Sequence, residues 1–97
     1  MNEMNKLIGK RDALLMELAQ LNGLVAGSFF ARDMNGTTRF CLSCMQGGRQ
    51  RQAYISAKHA DAVRLGVGQH ARALEILSEL GKINLQLIKK GVGGSDV

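Results

Sequence analysis

Between residues 2 and 22 the apolar positions Met4, Leu7, Ile8, Leu14, Leu15, Leu18 and Leu21 recur at three- and four-residue steps. That period predicts an amphipathic helix with a broad apolar stripe. Asn22-Gly23 follows as its stop, because glycine tolerates the left-handed conformation that ends helices. The period then changes. Residues 24–32, 37–46 and 49–56 read as strands, separated by Asn35-Gly36 and Gly47-Gly48, both two-residue hairpin signals. They predict an antiparallel three-stranded meander.

Fixing the two turns fixes the register. Leu42 then opposes Ala53 and Phe29, while Phe40 opposes Ile55 and Ala31. One face of the sheet carries Val25, Gly27, Phe29, Ala31, Phe40, Leu42, Cys44, Ala53 and Ile55, and is expected to be the core side. The other carries Phe30, Arg32, Arg39, Cys41, Ser43, Met45, Gln50, Gln52 and Tyr54. Arg49 and Arg51 fall formally on the core side, at the hairpin tip, where long stems reach past its edge.

Ser56 is placed as an N-cap, and residues 57 to about 90 read as a long helix. Val63, Val67, Leu74, Leu77, Leu85 and Ile88 form part of its apolar side. A second row, Ala73, Ile76, Leu80, Ile83 and Leu87, approaches a heptad seam. Gly66 and Gly68 each weaken a helix by about 1 kcal/mol relative to alanine. They imply either a break into two helices or a close backbone approach. Residues 91–97 read as a flexible tail. The fold class is α+β, in one domain spanning 1–97.

Composition narrows the choice of function. The 97 residues are 45% hydrophobic and 22% charged, with no proline and no tryptophan. No apolar run is long enough to cross a membrane, and residues 1–10 lack the apolar core of a secretory signal. A cytoplasmic location is therefore expected. The net charge of +5 is concentrated between residues 32 and 72. There Arg32, Arg39, Arg49, Arg51, Lys58, Arg64 and Arg72 face only Asp33 and Asp61, and the flanking segments balance to zero. Arginine forks match phosphate and guanine geometry.

Three motifs invite a chemical reading. Cys41-x-x-Cys44 suggests redox or metal chemistry, but lies in a strand, where i and i+3 point to opposite faces. A redox pair usually occupies a helix N-terminus, and a zinc site needs two further ligands. His59 and His70 are available but lie too far apart for a finger helix. A buried Cys44 with a half-exposed Cys41 is the simpler expectation. The histidines also lack a partner at a spacing that implies acid–base catalysis. Gly66-Val67-Gly68 lacks the third glycine and preceding strand of a nucleotide fingerprint. No enzyme and no cofactor are expected.

The segment FCLSCMQGGRQRQAYISAKHADAVR (residues 40–64), with KRDALLMELAQL upstream and ILSELGKINLQLI downstream, resembles a family of small uncharacterised bacterial proteins. These carry a domain of unknown function and are often encoded beside transposases and other mobile elements. The matching elements are Gly27-Ser28, Gly47-Gly48-Arg49-Gln50-Arg51, Tyr54-Ile55-Ser56 and Asn84-Leu85-Gln86-Leu87. The family's cysteine-containing basic insert after the Gly-Ser is missing, since only residues 29–36 stand there. The resemblance implies a mobile-element or phage setting.

The leading expectation is a non-enzymatic protein that binds double-stranded DNA through Arg32, Arg39, Arg49, Gln50, Arg51, Gln52 and Tyr54, with Lys58 and Arg64 adding phosphate contacts. A homodimer through Ile76, Leu80, Ile83 and Leu87 is expected to accompany it. The alternatives are a module docking an acidic protein partner and a zinc-stabilised module resting on Cys41 and Cys44. The same sheet face could equally be solvated or covered by a second subunit.

Overall fold

The computed structural model describes residues 3–91. Its elements are α1 (Glu3–Gln20), β1 (Ser28–Met34), β2 (Thr37–Gln46), β3 (Arg49–Ile55) and α2 (Ala57–Lys89). This is the α+β order expected from the hydrophobic pattern. Gly91 lies in a turn, and the rest of the expected tail, 92–97, lies outside the described residues. The chain divides into two compact units, one from residues 22–71 and one from the segments on either side. Among the described residues no helix is long and apolar enough to cross a membrane.

The sheet unit follows from its turns. Asn35 and Gly36 have φ of 55° and 81°, and Gly47 and Gly48 have 57° and 78°. Positive φ at both central residues is the requirement of the tight hairpin turn whose twist matches its strands. The strand order is β1-β2-β3, and Leu42 faces Phe29 on one side and Ala53 on the other, as the turns dictate.

β1 begins later than the hydrophobic pattern suggests, at Ser28 rather than residue 24. The backbone N–H of Val25 donates to the Gly66 carbonyl at 3.1 Å instead of joining a strand ladder. Gly66 is buried, and a Cβ there would strike the Gly23 carbonyl and come within 2.8 Å of a Val25 methyl. The second reading of the helix glycines therefore holds at Gly66. The helix does not break: α2 is one uninterrupted element of 33 residues. Ser56 flanks its start, and its carbonyl accepts from the His59 N–H at 2.9 Å.

The helical unit pairs α1 with the later part of α2. Leu7, Ile83 and Leu87 form a buried cluster, with Met4, Ile8 and Leu14 packed against it. The two segments run antiparallel, because Glu3 meets Lys90 at one end and Glu17 meets Arg72 at the other. This corrects the expected dimer seam. Ile76, Leu80, Ile83 and Leu87 are all buried within a single chain, Ile76 with no exposed surface. Folding already covers the row that was expected to await a second copy.

Candidate nucleic-acid interface

The nine basic and polar residues expected to touch nucleic acid all lie in the sheet unit, but not on one surface. Strand alternation places Arg32, Arg39, Gln50, Gln52 and Tyr54 on one face, together with Phe30, Cys41, Ser43 and Met45. Arg49 and Arg51 point to the opposite face, as do Phe29 and Phe40. Arg64, from α2, lies 5.4 Å from the centroid of the Phe29 ring and 3.3 Å from Asp61. It thus belongs with the second face and is already engaged there. Lys58 is exposed near the start of α2.

The first face is open. Tyr54 is 63% and Met45 66% exposed, and Arg32, Arg39, Gln50 and Gln52 are exposed too. Two arginines lean on aromatic rings across this surface, Arg32 over Phe30 and Arg39 over Tyr54, each 5.9 Å from the centroid. Contacts of this kind contribute about 0.5–1 kcal/mol at exposed sites. They also hold the guanidinium groups above the sheet instead of leaving them to wander. This pairing was missed by the sequence reading. Its signal is local for Phe30 and Arg32, which stand two apart on one strand, and cross-strand for Arg39 and Tyr54.

The two arginine–ring pairs flank the most enclosed side chain of the sheet. Cys41 sits mid-strand on β2, directly between Phe30 and Tyr54, and is 1% exposed. Cys44, nearer the hairpin end, is half-buried. The expected order of burial is therefore reversed. Alternation assigns a side chain to a face, but burial depends on the bulk of its cross-strand neighbours, and Cys41 has two rings beside it. Ser43, next on the same face, is also buried and accepts a hydrogen bond from Gln50 Nε2 at 2.7 Å. That bond orients the Gln50 amide on the hairpin. Among the described residues no three histidine, cysteine, aspartate or glutamate side chains converge as metal ligands.

The far hairpin is narrower than the rest of the sheet. The β1–β2 ladder ends at the Ser28–Ser43 pair, whereas the β2–β3 ladder continues through Cys44–Arg51, Met45–Gln50 and Gln46–Arg49. Beyond Ser43 the sheet is thus a two-stranded ribbon carrying Arg49, Gln50 and Arg51, all exposed. A two-stranded ribbon is what the DNA major groove, about 12 Å wide, admits. At the other end of the sheet, Thr37, Thr38, Arg39 and Tyr54 help to line an open hollow of about 500 Å³.

Comparison of the chain with protein-family models, curated proteins and solved structures returns no match.

Proposed function

We propose that this is a non-enzymatic, double-stranded DNA-binding protein, serving as an accessory factor of a mobile element or phage. The observation that carries the reading is the two-stranded hairpin tip with Arg49, Gln50 and Arg51 on a ribbon of groove width. Gln50 is suited to adenine and the two arginines to guanine or phosphate. Arg32 and Arg39, steadied over Phe30 and Tyr54, supply phosphate contacts behind the tip. The charge distribution supports the same unit. Residues 22–71 hold Arg32, Arg39, Arg49, Arg51, Lys58 and Arg64 against Asp33 and Asp61, which accounts for most of the excess. Binding of this kind releases condensed counterions and so weakens steeply with salt.

The test is fluorescence anisotropy with a labelled random duplex at several salt concentrations. Non-specific binding is expected at a Kd of roughly 1–100 µM near physiological salt. The Arg39→Ala/Arg49→Ala/Arg51→Ala variant should lose most of it and show a salt slope shallower by about two to three. Absence of binding even at low salt defeats the proposal. An acidic protein partner then becomes the better reading, supported by the exposed Tyr54 and Met45 beside arginines, residue types that protein interfaces favour.

A further inference from the structure

The helical unit leaves a second apolar row uncovered. Leu74, Leu77 and Ile88 each follow by one position a buried residue of α2, namely Ala73, Ile76 and Leu87, and are 54%, 53% and 40% exposed. Gly81 follows Leu80 in the same way, and Leu85, 53% exposed, completes the row. On α1, Leu15 follows the inward-packed Leu14 and is 46% exposed.

One position along a helix is a rotation of 100°. In an antiparallel pair, equal rotations away from the shared contact bring both rows to the same side. The ion pairs Glu3–Lys90 and Glu17–Arg72 establish that α1 and this part of α2 are antiparallel. Leu15 therefore shares one continuous face with Leu74, Leu77, Gly81, Leu85 and Ile88.

We propose that this face binds a second copy of the same chain, so that two helical units form a four-helix bundle. Three observations favour a second copy over another occupant. The first is area: five large side chains about half exposed let two copies cover about 1,000 Å² in all, the threshold for a specific interface. The second is charge. In residues 1–21, Lys6, Lys10 and Arg11 cancel Glu3, Asp12 and Glu17, and residues 72–97 leave a single positive charge. Copies of this unit hardly repel each other, unlike copies of the basic sheet unit. The third is Gly81. Nothing lies within 4 Å of the place its Cβ would occupy, so the fold of one chain gives no reason for a mid-helix glycine that weakens the helix. On the open row, between Leu77 and Leu85, it lets a facing helix approach closely. The proposal does not depend on the nucleic-acid reading.

Sedimentation velocity of the full chain over a concentration series tests it. The wild type is expected to approach about 21 kDa, twice the mass of one chain. Its Tm should rise with concentration, as linked association requires. The Leu77→Glu/Leu85→Glu variant should sediment as a monomer while keeping its helical circular dichroism, because both positions are exposed in the single chain. Should that variant lose helicity, Leu77→Gln alone makes the same comparison. A wild type that stays monomeric at hundreds of micromolar overturns the proposal, and so does a dimer that persists in a folded variant.

Discussion

Gly66 and Gly68 are two residues apart on one helix, yet their surroundings differ. A methyl at Gly66 meets the Gly23 carbonyl and Val25, whereas nothing lies within 4 Å at Gly68. Gly66→Ala is expected to destabilise by about 1–3 kcal/mol, since overpacking outweighs the gain in helix propensity. Gly68→Ala should stabilise by about 0.5–1 kcal/mol, and urea unfolding of the two variants measures the contrast. The cysteines differ as sharply. With Cys41 buried and Cys44 partly accessible, a thiol reagent should titrate one cysteine rapidly in the native protein and two after unfolding. If Cys44→Ser retains a fast-reacting thiol, the assignment is wrong.

The elements were legible in the sequence to different degrees. Asn35-Gly36 and Gly47-Gly48 determine the hairpins and, through them, every cross-strand pair, because a tight turn admits one register. Leu24 and Val25 misled, since an apolar run reads alike whether it joins a ladder or docks on a helix. What decides the matter is Val25 bonding to Gly66, a residue far along the chain. The spacing of the Ile76–Leu87 row predicts a packing surface, and within the single chain that surface is already buried. A heptad-like spacing encodes a helix neighbour without saying whether it comes from the same chain. The candidate site was legible as two sheet faces, but the Arg–ring pairs and the enclosure of Cys41 depend on side-chain bulk across strands.

The pairing of α1 with α2 also makes a prediction in pH. Arg72 donates to both carboxylate oxygens of Glu17, at 2.5 and 2.7 Å. That hydrogen bonding holds the Glu17 carboxyl below its ordinary value of 4.5 and raises the guanidinium pKa in turn. A carboxylate whose folded pKa is depressed contributes stability that is complete above its unfolded pKa. The contribution fades as pH falls through the folded value. Thermal stability should therefore decline as the solution is acidified below about pH 4.5, and Glu17→Gln should flatten that part of the profile. An unchanged profile in the variant would remove Glu17 from the account.

At the scale of the whole molecule, the excess positive charge and the exposed leucine row lie in different units. Residues 22–71 carry most of the positive charge, and the exposed leucine row belongs to the helical unit. Nucleic-acid binding and self-association should accordingly respond to different substitutions. Leu77→Glu/Leu85→Glu should leave the intrinsic salt slope per chain unchanged, and Arg49→Ala/Arg51→Ala should leave the sedimentation mass unchanged. Running both assays on both variants separates the two proposals.

The helical unit is discontinuous in sequence. Leu7 finds Ile83 and Leu87 only after the entire sheet segment has been traversed. A growing chain can close the β1–β2 and β2–β3 hairpins as soon as their residues emerge, because those contacts are local. Helix α1 has no such opportunity, since its apolar stripe stays without its partner until α2 is nearly synthesised. During translation, α1 is thus made before the sheet segment yet buried after it. That interval is when chaperone capture or premature association would act on this protein.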